Sequence, residues 1–555
     1  MSRAFSCSRL ANRLSLCAGT ALLLGACLDH PLKPVEYDKS EEAENTVAIA
    51  INKDVDILFV IDNSGSMGEE QALLSKNFAS FINVLEAKDV QANYRIGITT
   101  TDSGNPRCPS ATYKPEGGNL VLSSCLDRID QNEFKFGEDD FSSACTDFCT
   151  KRDADLMVRG TTTPYDSKEL PRKWIERIET ESNIGGVASN VEAFQCYGPQ
   201  GVAGCGFESH LESMYLALAN ATSSASKNNY GFLREAAILT IVFITDEADC
   251  SFTPTDPEKL IFTSNKQFWS DPNLPAPTSA LCWNAGVECT GGPGTYSECH
   301  AQNYDTTGAI TTDPKKAVLQ PVSKYIDFVK TIEKQKKEID EGQKVLISLI
   351  AGVPPGYENF EDDIVYEDSA DATLQNNFGI GPGCVLEAGT AVPPVREREF
   401  AEAFINPETE RNLYSICQQD YSAALKSIAD QIRDQIKPAC MPNCVRDKNP
   451  MTEVVEPGCQ LYEENVAAMT SNPIPLCKEV EGAWSAPAGA TVCFATLVDK
   501  KGLTPSKIDD MSAECIDEGF NLEFILVRSA AAPAGTTISA ACELSENKSR
   551  DCPML

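Results

Sequence analysis

Histidine is almost missing from this chain: 555 residues hold only His30, His210 and His300. That scarcity removes the commonest general base and the commonest nitrogen ligand from most hydrolase and zinc-site designs. Positive charge is also short, with 47 Lys and Arg against 81 Asp and Glu and a net charge of −34. Such a surface repels nucleic acid and anionic membranes, and no basic patch with interleaved aromatics offsets it. Beyond the first 26 residues no apolar run reaches the ~20 residues that cross a bilayer. There is no Gly-rich phosphate loop of P-loop form, no Gly-x-Ser-x-Gly elbow and no pair of Cys-x-x-Cys motifs.

Cysteine, by contrast, is abundant. Residues 1–26 carry Arg3, Arg9 and Arg13 without an acidic residue, then an apolar run from Leu14 to Ala26, the pattern of an export signal. Its end, Leu24-Gly25-Ala26-Cys27, resembles the bacterial lipobox, which implies that Cys27 is acylated and becomes the mature N-terminus. Leu28, in place of the Asp that marks inner-membrane retention, directs the expectation to the outer membrane or cell surface, with the periplasm as the alternative. Pro, Lys and Glu in residues 27–45 make a tether. Of 23 cysteines, Cys7, Cys17 and Cys27 belong to this leader; the remaining even number in an oxidising compartment predicts ten disulfides. Zinc is the competing reading for Cys145-Thr-Asp-Phe-Cys149 and Cys440-Met-Pro-Asn-Cys444.

From Thr46 strands alternate with helices. Thr46 to Ile51, Asp56 to Ile61, Tyr94 to Thr101, Ile238 to Thr245 and Lys344 to Ala351 read as strands; Gly68 to Leu85, Glu208 to Ala221, Lys315 to Lys337 and Asp420 to Ile436 read as helices. This alternation predicts an α/β fold, a doubly wound, mostly parallel sheet, over residues 46–437. Stretches at about 105–195, 252–314 and 356–411, rich in Cys, Gly, Pro or acidic residues, read as disulfide-stapled insertions. Residues 438–555, with eight cysteines and short apolar runs, read as a small β-rich disulfide domain.

The stretch that carries chemistry is Asp62-Asn-Ser64-Gly-Ser66. A buried strand there delivers one carboxylate and two hydroxyls at alternate positions, about half the oxygen shell of a Mg²⁺ ion. The remainder should come from a neighbouring strand end, since open parallel sheets bind ligands beyond their C-terminal edge. Asp246, after Ile238 to Thr245, is the natural second carboxylate. Helix capping by Ser64 or Ser66 explains one hydroxyl but not the whole set.

On these residues the chain resembles the von Willebrand factor type A domain, including the integrin inserted domain. The matching pieces are Asp62-x-Ser64-x-Ser66, the strand Tyr94 to Thr101, the helix from Glu208, and Thr245-Asp246. The resemblance implies a metal-ion-dependent adhesion site in which Ser64 and Ser66 bind the cation directly, and Asp62 and Asp246 bind it directly or through water. It also implies Mg²⁺, with Mn²⁺ or Ca²⁺ as alternatives, and a protein partner that offers an acidic side chain. The family opens the helix with a Thr; here Glu208, then Ser209, are the candidates, and the alternative for Glu208 is favourable charge at a helix N-terminus.

The function expected is a cell-envelope lipoprotein acting as a cation-dependent protein-binding or adhesion module. The alternative is a structural envelope component that metal and disulfides only stabilise. A serine hydrolase using Ser64 or Ser66 with His210 and Asp246 comes third, since His210 at a helix start is exposed by default. No catalytic residue is assigned. The acidic runs Glu133 to Asp140 and Glu358 to Asp371 lack EF-hand spacing and read as solvated loops.

Overall fold

The computed structural model describes residues 46–48, 53–87, 90–108, 113–178, 181–252, 260–339, 343–386, 389–436, 439–452, 454–465, 470–480, 482–528 and 536–553. The expected export signal, Cys27 and the tether at 27–45 lie outside the described residues. Thr46–Ala48 is extended, and the rest of the strand expected there also lies outside them.

The centre is a seven-stranded sheet. Its strands are β1 (Asp54–Ile61), β2 (Asn93–Thr100), β3 (Trp174–Ile178), β4 (Glu181–Ser182), β5 (Ile238–Ile244), β6 (Leu346–Ala351) and β7 (Leu413–Ser415). They are ordered β7-β6-β5-β1-β2-β3-β4. The five from β7 to β2 run parallel, whereas β3 and β4 are antiparallel additions at one edge. Every residue of β5 is buried, as a strand covered on both faces requires.

Alternation along β1 shows the two layers. Ile57, Phe59 and Ile61 belong to one core cluster, with Phe78, Phe81, Phe194, Leu425 and Ile428. These come from the turn at Phe78 after α1 (Gly68–Asn77), from α2 (Ala79–Leu85), from α3 (Asn190–Tyr197) and from α7 (Ser422–Gln435). Leu58 and Val60 face the opposite cluster, with Leu211, Met214, Tyr325, Val329 and Phe400. Those side chains belong to α4 (His210–Ala221), α5 (Val322–Lys337) and α6 (Val395–Glu402). Side chains of successive strand residues point to opposite faces, so one apolar run feeds both cores. Deleting a buried aromatic such as Phe59 removes on the order of 3–5 kcal/mol.

The sheet corrects the reading of 105–195 as a loop insertion, because β3, β4 and α3 lie inside it. Charge hid β3: Glu176 is buried, and its carboxylate is compensated by Arg95 Nε of β2 at 2.6 Å and by Trp174 Nε1 at 3.2 Å. A pattern of Trp-Ile-Glu-Arg-Ile looks amphipathic until the partner is known. Two smaller departures follow from local geometry. The helix expected over 68–85 divides at Phe78, and the one expected from Lys315 starts only at Val322, after Pro321.

All twenty cysteines beyond Cys27 form ten disulfides. Cys145 and Cys149 pair with Cys125 and Cys196, and Cys440 and Cys444 pair with Cys515 and Cys552, so neither three-residue gap is a zinc clamp. Contacts join Val47–Leu555 in one compact unit. Within it, residues from Ala439 onward contribute to sheets separate from the seven-stranded one and build a core of Leu461, Phe494, Phe524, Leu526 and Ala540, cross-linked by four of the bridges.

Candidate metal centre

Three adjacent parallel strands, β5, β1 and β2, end side by side. Ile244 pairs with Ile61 and Ile61 with Thr100, so the next residues, Thr245, Asp62 and Thr101, emerge together at the C-terminal edge. The ladder continues one step: Asp62 N–H donates to Ile244 O at 3.0 Å, Thr101 N–H to Ile61 O at 3.2 Å and Thr245 N–H to Ile350 O at 3.1 Å. Parallel pairing therefore fixes the position of each side chain before the loops diverge.

The loop Asp62 to Ser66 turns back on itself. Ser64 N–H donates to Asp62 Oδ1 at 2.8 Å, and the Ser64 and Ser66 hydroxyl oxygens lie 3.3 Å apart. Gln71 of α1 bridges the loop to its neighbour, donating to Asp62 O and Gly201 O, both at 2.8 Å, while its own oxygen accepts from Gln200 N–H at 2.8 Å. Gly204 N–H donates to Asn63 O at 2.8 Å. A Cβ on Gly204 would stand 2.3 Å from Asn63 Oδ1, so this close crossing requires glycine.

Loop 201–209 places Glu208 in the interior. Ser209 N–H donates to Thr101 O at 2.9 Å and Cys250 N–H to Glu208 O at 2.6 Å. Glu208 is fully buried, and one of its oxygens accepts from the Thr101 hydroxyl. The helix proper begins at His210 with Ser209 before it. Glu208 is therefore not a solvated charge at a helix end, and Thr101 is a site residue that the sequence reading missed. The available signal was its position: in a parallel sheet the residue after Thr100 must sit opposite Asp62.

Asp246 is buried, within reach of the Ser66 hydroxyl, and its backbone oxygen accepts from Val392 N–H at 2.7 Å. Ser66 is exposed and Ser64 buried, so the site opens on the Ser66 side. Glu70 of α1 stands nearby. Burial, with Asp62 and Glu70 close by, holds the Asp246 carboxyl well above the usual range. Burial, with Asp62 and Glu247 close by, does the same to Glu208. Burial pushes Glu70 up to about 7, reinforced by Glu69 and Asp62, and Asp102 up to about 6, reinforced by Glu116. Asp246 Oδ1, Glu208 Oε1 and Glu70 Oε2 are all buried without a hydrogen-bond partner. Buried acceptors left unpaired are costly unless a cation meets them.

The donors are hard oxygens, which suit Mg²⁺, Mn²⁺ or Ca²⁺ rather than zinc. Asp62, Glu208 and Asp246 do not converge as three bare carboxylates within 4.8 Å of one another; among the described residues the acidic group that does so is Asp499, Asp509 and Asp510. Proximity alone favours that second group, but its chemistry does not. Asp499 is already saturated by backbone donors from Thr504, Leu503 and Lys501, which hold its carboxyl down at about 2 after burial is overcome, and Thr504 Oγ1 bonds both oxygens of Asp509. Of the second group only Asp510 keeps a buried oxygen without a partner, whereas Glu208, Asp246 and Glu70 each keep one near the sheet edge.

The insertions form the walls. The hairpin Lys135–Phe136 with Asp139–Asp140, inside the acidic run expected to be merely solvated, lays Phe136 on Gly65 and Phe141 on Gly68, so close that a Cβ on either glycine would overlap a ring. Phe136 remains 57% exposed. The run Glu358 to Asp371 is mostly exposed, with Asp363 paired to Arg411 at 2.5 Å.

His210 is fully buried, which corrects the expectation of exposure. Its Nε2 lies 2.7 Å from Thr245 Oγ1 and its Nδ1 3.0 Å from Glu397 Oε1. Neither nitrogen faces Ser64 or Ser66, so no serine and histidine pair of nucleophile and base is assembled. Burial alone would lower the ring, but the nearby Asp62 and Glu397 carboxylates override it and raise His210 to about 10. His300 is exposed beside Glu298. His30 lies outside the described residues.

No family model and no curated protein matches the chain. Solved structures of the pilus adhesin SpaC from Lactobacillus rhamnosus GG are similar at low level. Its open conformation is 9% identical, with 90% of this chain and 40% of that chain covered and a TM-score of 0.28. Another form gives 10% identity, 89% and 39% coverage and a TM-score of 0.25. The chain thus spans about two fifths of the adhesin's length, and a likeness of this size carries no argument about fold or activity.

Proposed function

We propose that residues 46–437 form a von Willebrand factor type A domain whose sheet edge holds a divalent cation, Mg²⁺ with Mn²⁺ or Ca²⁺ as alternatives. The observation that carries this reading is the pair of buried, unpartnered oxygens Glu208 Oε1 and Asp246 Oδ1, on a residue bonded to Thr101 and on one within reach of the Ser66 hydroxyl. Ser64, Ser66, Asp246 and Glu208 are the ligands, and Asp62 orients the loop and adds negative charge. When bound, the cation supplies a Lewis-acidic position open to a carboxylate. The chain's own residues do the rest: the exposed Ser66 marks the open side, and Phe136 borders it with an apolar surface. Glu208 adds a charge that tightens cation binding and lowers the residual positive charge offered to a partner.

The protein so described is a cation-dependent binding or adhesion module. On the sequence features at 1–26 and Cys27 it is exported and lipid-anchored in the cell envelope, at the outer membrane or cell surface. Among the described residues no helix is long and apolar enough to cross a membrane.

The test is calorimetric titration of the full chain with Mg²⁺ and Mn²⁺, before and after Asp62→Ala and Asp246→Ala. Both variants are expected to lose binding. Equal affinity in wild type and variants removes the cation site, and partner capture that survives chelation transfers the role to structural stabilisation.

A further inference from the structure

A charged chain runs under the centre from an insertion to the tip of β1. Thr245 Oγ1 donates to Asp62 Oδ2 at 2.7 Å. A hydroxyl has one hydrogen, and here it is committed to Asp62. The contact of 2.7 Å between Thr245 Oγ1 and His210 Nε2 must therefore have the ring N–H as donor. On the other side Nδ1 stands 3.0 Å from Glu397 Oε1 and 3.9 Å from Asp249 Oδ1, and carboxylates accept. Both ring nitrogens thus face acceptors: Nε2 donates to Thr245 Oγ1, and Nδ1 stands in an ion pair with Glu397 that lacks a well-directed hydrogen bond.

The far end is a buried carboxylate. Glu397 is fully buried on α6, and neither of its oxygens has a well-directed hydrogen bond; its close ion pair is with His210. Next to it Arg396 Nε holds Asp249 Oδ2 at 3.0 Å, and Asp249 Oδ1 accepts from Leu211 N–H at 3.1 Å. The start of α4, which carries His210, is thereby tied to the same buried network. Asp62 has one oxygen taken by Ser64 N–H and the other by Thr245, so its plane is set from both sides.

We propose that His210 and Thr245 are positioning residues of the cation site: through the chain Glu397, His210, Thr245, they fix the Asp62 carboxylate and with it the Ser64 to Ser66 loop that it holds through Ser64 N–H, and so set cation affinity. The proposal rests on the cation-site reading above. It also gives the segment 356–411 a function beyond lining the rim, because α6 reaches the centre from below. Groups of this kind around metal ligands change affinity by about 10–100-fold when removed.

The experiment measures Mn²⁺ affinity by calorimetry, and thermal unfolding in chelator, for wild type, Thr245→Val, Thr245→Ser and Glu397→Gln in the full chain. Val keeps the shape of Thr but can neither donate to Asp62 nor accept from His210. Its Mn²⁺ affinity is expected to fall about 10–100-fold, whereas Ser, which keeps the hydroxyl, should restore it. Glu397→Gln lies away from every ligand and should also weaken Mn²⁺ binding, since the ring loses the charge that orients it. A role confined to fold stability would lower the unfolding temperature and leave Mn²⁺ affinity of the folded protein unchanged. Unchanged affinity in folded Thr245→Val or folded Glu397→Gln overturns the positioning role. Absence of Mn²⁺ binding by wild type overturns instead the cation reading beneath it.

Discussion

Glu208 and Asp246 are buried more deeply than isolated carboxylates tolerate, and burial holds both well above the usual carboxyl range. Glu70 and Asp102 follow at about 7 and about 6. An acid whose folded pKa is raised carries no penalty below its unfolded value of ~4, and destabilises the fold progressively as pH rises toward and through the raised value. In chelator, the unfolding temperature should therefore fall from pH 5 to pH 8. Saturating Mg²⁺ should flatten or reverse that slope, because the cation binds the ionised oxygens and displaces protons. Scanning calorimetry at several pH values checks this; a chelator profile that rises with pH contradicts it. At this scale the motif Asp62-x-Ser64-x-Ser66 and the strand-end Asp246 are legible in the sequence, since local spacing and one apolar run define them. The roles of Thr101, Thr245 and Glu397 are not, because they come from partners far apart in sequence: Glu208 for Thr101, Asp62 and His210 for Thr245, and His210 for Glu397.

Among the elements, strands with continuous apolar character, β5 above all, are readable from sequence. β3 is not, since buried Glu176 mimics a surface residue until Arg95 of β2 is set beside it. The loop 201–209 is equally opaque: a run of Gly and Cys gives no periodicity, yet its crossing of Asn63 and its bond to Thr101 O place Glu208. The bridge Cys108–Cys205, spanning 97 residues, fastens this loop to the segment after β2. Replacing both cysteines by Ser should cost about 2–4 kcal/mol of stability, as expected for a long closed loop, measured by denaturant unfolding. It should also weaken Mg²⁺ binding in the folded protein, because Glu208 sits three residues from Cys205. Full Mg²⁺ affinity in the double variant would show that Glu208 is held without the bridge or is not a ligand.

For the whole molecule, ten disulfides fit an oxidising compartment, and a net charge of −34 favours solubility, its long-range field screened by salt over roughly 10 Å. The disulfide count was legible from an even number of cysteines, but the pairing was not, since it depends on which segments the sheet brings together. Three of the buried carboxylate oxygens without a partner, those of Glu70, Glu208 and Asp246, belong to residues near one edge of the sheet. The most direct test is a crystal of the full chain soaked in Mn²⁺ and measured for anomalous scattering. The account predicts a peak bounded by Ser64, Ser66, Glu208 and Asp246; an empty sheet edge, with a peak at Asp499, Asp509 and Asp510 or with none, would contradict it.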